Sequence, residues 1–211
     1  MERPCRETGP FKDLGEVSEY VVERLLALLA LSACGPAKTP LSEAPLAGAT
    51  IGGDFTLVDK AGKVVRWADF AGKWRVVYFG YTSCPDACPL DLGKLMAGFK
   101  QFEKAEPDLA AKTQPMFITI DPARDTPARV GEFSAAFSPR LIGLSGDATQ
   151  IAAAAKTFGI YYARGKDRAG GYDMDHSRIA YLFDPAGKPI ATLPIDKSPE
   201  AVAAELSAWV R

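Results

Sequence analysis

Hydrophobic residues recur with two different periods along residues 55–211, and the change of period predicts a domain of mixed strands and helices. Short runs rich in β-branched and aromatic residues, bounded by turn-forming residues, predict strands at 55–58, 64–65, 75–81, 115–121, 141–145, 179–183 and 189–193. Helical spacing and start signals predict helices at 90–102, 126–137, 147–158 and from 198 onward.

The run 75–81 is apolar without alternation, which is typical of a central strand buried on both faces. The order of predicted elements is ββ-β-α-β-α-β-α-β-β-α, with helices between the middle strands and a final antiparallel hairpin. This order predicts an α/β fold, a three-layer sandwich with a mixed central β-sheet. The loop after 75–81 then lies at the carboxyl end of a strand, where open α/β sheets usually place their sites.

The first part of the chain has the pattern of an export leader rather than of folded structure. Residues 25–33 form an apolar run that follows Arg24 and is shorter than the ~20 residues that span a bilayer. The run ends in Leu31-Ser32-Ala33-Cys34, the lipobox pattern of bacterial lipoproteins. We therefore expect a leader at 1–33, lipidation of Cys34, a flexible tether at 34–49 and a folded domain at 50–211.

This leader predicts an extracytoplasmic protein, on the periplasmic side, that is lipid-anchored to a membrane. Residues 1–20 disagree with the pattern, because they are mixed and acidic where a signal peptide is short and positive. The disagreement disappears if translation starts later, at a codon for Val21 or Val22 that is translated as Met.

Composition narrows the function mainly by exclusion. The chain has 25 Lys and Arg against 26 Asp and Glu, without a dense basic run, so we expect no nucleic-acid partner. Hydrophobic residues make up 47% of the chain, enough for a sizeable core. A single His excludes any metal site built from several histidines.

The cysteines carry the first candidate chemistry. Of the four, Cys5 precedes the leader and Cys34 is the predicted lipidation site, which leaves Cys84 and Cys88 as an isolated pair. They are spaced C-x₃-C where a strand turns into a helix, and a helix N-terminus favours the thiolate. From the residues alone, three roles stay open: a structural disulfide, a redox pair, or two metal ligands.

The lone His176 precedes the strand predicted at 179–183 and follows a Gly-containing loop. In the predicted topology that loop can reach Cys84 and Cys88. Two thiolates and one imidazole are a soft ligand set, which suits Cu(I) and accepts Cu(II) with a further weak ligand. A structural zinc site would usually have a fourth protein ligand.

Three segments resemble the signature of the Sco (SenC) copper proteins, which assemble the dinuclear copper site of cytochrome c oxidase. They are residues 79–89 (Phe-Gly-Tyr-Thr-Ser-Cys-Pro-Asp-Ala-Cys-Pro), 120–127 (Ile-Asp-Pro-Ala-Arg-Asp-Thr-Pro) and 175–177 (Asp-His-Ser). The resemblance implies a thioredoxin-like fold over about residues 50–211. It also implies copper, as Cu(I) or Cu(II), on Cys84, Cys88 and His176.

The expected function is therefore a membrane-anchored copper chaperone, for which no catalytic turnover is required. Its expected partners are the copper-binding subunit of cytochrome c oxidase and other copper chaperones. One alternative is a thiol–disulfide oxidoreductase in which Cys84 and Cys88 cycle through a disulfide, although such enzymes usually carry C-x-x-C. Another is a peroxiredoxin-like peroxidase, because Thr82 lies two residues before Cys84.

The segment 120–127 contains two aspartates, Asp121 and Asp125. Asp125 precedes the Thr126-Pro127 helix start and Asp121 ends a strand, so roles in the helix start and in a turn are favoured. The alternative is that a carboxylate orients the cysteine loop or His176. We expect neither aspartate to be a metal ligand.

Overall fold

The computed structural model describes residues 38–169 and 171–211, so the predicted leader and Cys34 lie outside the described residues. The strands in this part of the chain are β1 (Thr56–Val58), β2 (Val64–Arg66), β3 (Trp74–Gly80), β4 (Thr113–Thr119), β5 (Ile142–Leu144), β6 (Tyr162–Arg168), β7 (Gly171–His176), β8 (Ala180–Phe183) and β9 (Pro189–Leu193). The α-helices are α1 (Ala87–Ala105), α2 (Pro107–Ala111), α3 (Pro127–Phe137), α4 (Ala148–Thr157) and α5 (Pro199–Trp209).

Five strands form a central sheet in the order β5-β4-β3-β8-β9. Strand β3 pairs in parallel with β4 and antiparallel with β8, so the sheet is mixed, as predicted. Helices α1, α2, α3 and α5 contribute to the hydrophobic core on one face, and α4 contributes to the core on the other. The predicted three-layer α/β sandwich is therefore confirmed.

Strand β3 is central because both of its faces are covered. All seven of its residues are buried, with Val76 and Tyr78 in one core cluster and Val77 and Phe79 in the other. Side chains of a strand point alternately to opposite faces, so an unbroken apolar run is the pattern that suits this position.

Gly80 ends β3 and lets the next helix approach closely. A Cβ atom at Gly80 would lie only 3.1 Å from the sulfur of Cys88, which is tighter than side chains normally tolerate. The missing side chain thus brings the first turn of α1 against the carboxyl end of the central strand.

The structure differs from the sequence prediction in the segment that leads to His176 and in the segment before residue 50. Strands β6 and β7 form an antiparallel two-stranded sheet in the segment expected to be a Gly-containing loop. The stretch expected to be tether has a 3₁₀ helix at Leu41–Glu43, a buried Ala44, and a 3.0 Å hydrogen bond from the Leu46 N–H to the Ile190 carbonyl. Packed structure therefore begins before residue 50, the expected boundary. None of the helices in the described ranges is long and apolar enough to cross a membrane.

Candidate metal centre

Cys84 and Cys88 lie at the junction between the end of β3 and the start of α1. Cys84 is partly exposed in the connecting loop, and Cys88 is fully buried in the first turn of the helix. The backbone N–H of Cys88 donates to the Cys84 sulfur at 3.3 Å. A backbone N–H that has no partner inside the helix therefore points at the Cys84 thiol. This contact favours the thiolate form of Cys84. Both cysteines are free in this structure.

The two thiols have opposite acidities. Hydrogen bonding from the Cys88 side chain is the main cause that lowers the pKa of Cys84 to about 5; burial opposes it, and backbone N–H groups and the Tyr81 hydroxyl assist. Hydrogen bonding to Cys84, together with burial, raises the pKa of Cys88. Near neutral pH the pair therefore consists of a Cys84 thiolate and a Cys88 thiol.

His176 ends β7 and faces Cys88. Its Nε2 atom lies 3.4 Å from the Cys88 sulfur, and its Nδ1 atom lies 2.9 Å from the Ser177 carbonyl oxygen. Because a carbonyl only accepts, this contact assigns the ring proton to Nδ1 and leaves the lone pair of Nε2 directed at Cys88. Burial is the main cause that lowers the pKa of His176, so the ring is neutral at neutral pH.

The structure thus brings the three predicted ligands to one place, with Cys88 in the middle. The single S–H proton of Cys88 has two acceptors within reach, the Cys84 sulfur and His176 Nε2. A cavity of about 260 Å³ opens beside Cys84 and His176. Across residues 38–169 and 171–211, no group of three or more His, Cys, Asp or Glu side chains is already close enough to enclose an ion. The donor set of two sulfurs and one neutral nitrogen matches a soft metal such as copper.

Asp125 holds the cysteine loop, and the favoured role at the helix start is wrong. Its buried carboxylate accepts three hydrogen bonds: 2.9 Å from the Thr82 N–H, 2.5 Å from the Thr82 hydroxyl and 2.7 Å from the Thr119 hydroxyl. The start of α3 is capped by Thr126, whose hydroxyl accepts from the Arg129 N–H at 3.3 Å.

Asp121 supports the strand that carries His176. Its carboxylate accepts a 2.8 Å hydrogen bond from the Tyr172 hydroxyl and forms an ion pair with Arg124. The Arg124 guanidinium donates to the Tyr172 carbonyl at 2.7 Å and lies 3.6 Å from the centre of its ring. Through these contacts Asp121 ties β7 to the end of β4, a role beyond the expected turn.

Sequence reasoning missed a third buried carboxylate, that of Asp91. Arg178 donates to both of its oxygens, at 2.8 and 2.6 Å, and the Tyr78 hydroxyl donates at 3.0 Å. Asp91 is only 1% exposed, although it lies on a helix face that is otherwise apolar. A charged residue three positions after Cys88 on that face was the signal in the sequence.

Comparison with known proteins finds relatives over most of the described chain. The profile of the SCO1/SenC family matches residues 43–211. The chain is 48% identical over 136 residues to the mitochondrial SCO2 homologue of Bos taurus, covering 64% of this chain and 50% of that protein. It is 38% identical over 192 residues to a SCO2-like protein of Rickettsia felis, covering 86% of this chain and 91% of the relative. The chain spans about half the length of the mitochondrial SCO2 relatives it matches.

Two solved structures show the same fold. The structure of Arabidopsis thaliana ScoI with copper bound has a TM-score of 0.70 and 33% identity, over 74% of this chain and 95% of that one. The structure of Bradyrhizobium japonicum ScoI with copper bound has a TM-score of 0.68 and 36% identity, over 76% of this chain and 99% of that one.

Proposed function

This chain belongs to the SCO1/SenC family, and from that premise we propose that it is a copper chaperone that serves the copper site of cytochrome c oxidase. A related protein is described as a member of the Sco family of cytochrome c oxidase assembly proteins, and the Arabidopsis and Bradyrhizobium structures have copper bound. Copper is the cargo, held by Cys84, Cys88 and His176.

The contact between Cys88 and His176 is the observation that carries this proposal. A neutral imidazole directs its Nε2 lone pair at a buried thiol, and that thiol is in turn hydrogen-bonded to a thiolate. Copper that replaces the Cys88 proton would have the Cys84 sulfur and His176 Nε2 as its further donors, and these groups would have to close around the ion. A purely redox pair of cysteines has no need of this histidine.

The proposed place of action is a membrane surface outside the cytoplasm, on the periplasmic side. The support is the apolar run 25–33 and the lipobox that ends at Cys34. The lipid on Cys34 anchors the chain. The partners are the copper-binding subunit of cytochrome c oxidase and the copper chaperones that supply the ion.

A Cu(I) titration of the reduced chain against a competing chelator tests the metal assignment. The variants are Cys84→Ser, Cys88→Ser and His176→Ala, and Tyr161→Phe at an exposed position is the matched control. We expect each ligand variant to lose affinity and the control to keep that of the wild type. Equal affinity in the wild type and in the Cys84→Ser/Cys88→Ser double variant would overturn the proposal.

A thiol–disulfide oxidoreductase is a second candidate, because the two thiols are unequal. The Cys84 thiolate, with its pKa near 5, is partly exposed and can attack a disulfide, forming a mixed disulfide and releasing one thiolate. Cys88 then displaces the second thiolate and passes its S–H proton to it, so the Cys84–Cys88 disulfide forms and the substrate gains two electrons.

The acidity of Cys84 gives this second function its own test. Alkylation by iodoacetamide is expected to stay fast from pH 8 down to about pH 6 and to fall near pH 5, because the thiolate persists above its pKa of about 5. Disulfide reductase activity that survives in His176→Ala would support the redox function; its absence in the wild type would dismiss it.

We do not propose a peroxidase. Thr82, the residue that suggested one, donates its hydroxyl to Asp125 at 2.5 Å rather than to a substrate near Cys84.

A further inference from the structure

We propose that Met174 supplies its thioether sulfur as a fourth, weaker copper ligand. The inference rests on the proposed function, because it adds a donor to the copper ion held by Cys84, Cys88 and His176.

Strand geometry puts Met174 beside the histidine. Met174 and His176 are two positions apart on β7, so their side chains share one face of the strand. Their partners on β6 are Arg164 and Tyr162. His176 uses this face to reach Cys88, so Met174 lies on the face that is turned toward the cysteines.

The surroundings of Met174 are those of the cysteines. Met174 lines the same 260 Å³ cavity as Cys84 and His176 and also a cavity of about 460 Å³ beside Asp121 and Tyr172, and it packs on the hydrophobic cluster that contains Cys88. Its backbone hydrogen-bonds the Tyr81 hydroxyl, which also hydrogen-bonds the Cys84 sulfur. One phenol therefore links Met174 to the most acidic thiol of the site.

The other donors that line this cavity suit copper less well. The Asp173 carboxylate is paired with Arg168 at 2.5 Å, and Asp175 Oδ2 lies 3.3 Å from the Cβ position of Gly165, across the hairpin. Both residues alternate with Met174, so their side chains point to the opposite face of β7, although they border the same cavity. Carboxylates are hard ligands, whereas a thioether is soft and favours Cu(I).

A thioether ligand at position 174 should change the affinity for Cu(I) more than the affinity for Cu(II). Two thiolates and an imidazole already bind copper, so removal of Met174 is not expected to abolish binding. Because the thioether favours Cu(I), Met174→Leu should weaken Cu(I) several-fold and weaken Cu(II) less. Leucine is close to methionine in volume, so the substitution preserves packing.

Selenomethionine labelling provides the decisive experiment. The labelled chain is loaded with Cu(I), and X-ray absorption at the copper edge is searched for scattering by selenium. We expect a copper–selenium distance in the wild type and in the control Met96→Leu, and none in Met174→Leu. Met96 is buried in the core cluster on the other face of the sheet. Met96→Leu therefore controls for the loss of one methionine that lies away from the site.

The outcomes separate this inference from the proposed function. Copper with sulfur and nitrogen neighbours but without selenium in the wild type overturns the role of Met174 and leaves the copper function intact. Copper without cysteine or histidine neighbours overturns both. Thermal unfolding of copper-free Met174→Leu checks the fold, and Cu(I) affinity equal to that of the wild type would also refute the thioether ligand.

Discussion

Replacing Asp125 by Ala tests whether a buried carboxylate holds the cysteine loop. The substitution removes the acceptor of three hydrogen bonds, two from Thr82 and one from Thr119, at 2.5 to 2.9 Å. A hydrogen bond to a charged group contributes about 1.5–3 kcal/mol, and unpaired buried donors add a penalty. Because two of the donors belong to one residue, the contributions do not add fully, and we expect a loss of about 3–5 kcal/mol of unfolding free energy.

The same substitution should weaken copper binding. Thr82 lies two residues before Cys84, so release of its N–H and hydroxyl frees the loop that holds the sulfur in place. Loss of a residue that orients a ligand typically lowers metal affinity about 10–100-fold. Asp125→Asn keeps one acceptor oxygen but turns an NH₂ group toward a donor, so we expect smaller losses of the same kind.

Urea unfolding followed by tryptophan fluorescence measures the stability, and Cu(I) competition with a chelator measures the affinity. Asp147→Ala is the matched control, because this exposed carboxylate caps α4 at 2.8 Å from the Gln150 N–H. Its loss should cost about 1 kcal/mol and leave copper binding unchanged. If Asp125→Ala is no less stable than Asp147→Ala, or if it keeps wild-type Cu(I) affinity, the carboxylate does not hold the loop.

Three further outcomes follow from the site and from the leader. Oxidation of Cys84 and Cys88 to a disulfide should abolish copper binding, because it removes both thiolates; full copper affinity in the oxidised chain would show that they are not the ligands. His176→Ala should weaken Cu(II) more than Cu(I), since two thiolates can hold Cu(I) alone. Paired titrations measure this, and an unchanged Cu(II) thiolate charge-transfer band would remove His176 from the site. Cys34→Ser should release the chain from the membrane fraction, as detected by fractionation and lipid labelling, and lipid label that persists in the variant would disprove the anchor.

The central sheet was predictable because burial on both faces leaves a continuous apolar run, as in β3. The β6–β7 sheet was missed because its residues are mostly polar: β6 shows no alternation, and the alternation of Tyr172 and Met174 with aspartates in β7 is short. A contact from a distant residue supports it: Arg124, 48 positions before Tyr172, packs on the ring of Tyr172, and Arg164 of β6 lies 4.0 Å from the centre of the same ring. A short-range pattern carries no information about partners of this kind.

The same limit explains which residues of the candidate site could be predicted. Cys84, Cys88 and His176 were predicted from their types, their spacing and the family resemblance, and the structure brings them together. The carboxylates that orient them were undervalued or missed, because their partners are remote in sequence. Asp125 binds Thr82 across 43 positions, and Asp91 binds Arg178 across 87. An isolated aspartate gives no sign of which backbone segment it restrains.

Two of the three buried carboxylates, those of Asp91 and Asp125, support different parts of the site. Cys88 and Asp91 lie three positions apart on α1; one contacts His176 and the other binds Arg178, two residues further along the chain. Helix α1 therefore fixes the Cys88 sulfur and the imidazole relative to each other.

Cys84 has a different support, because Asp125 holds its loop from the segment after β4. Cys84 is also the more exposed of the two cysteines, so an incoming thiolate reaches it first. Under the proposed function, copper transfer by ligand exchange would therefore begin at Cys84 while Cys88 and His176 remain in place.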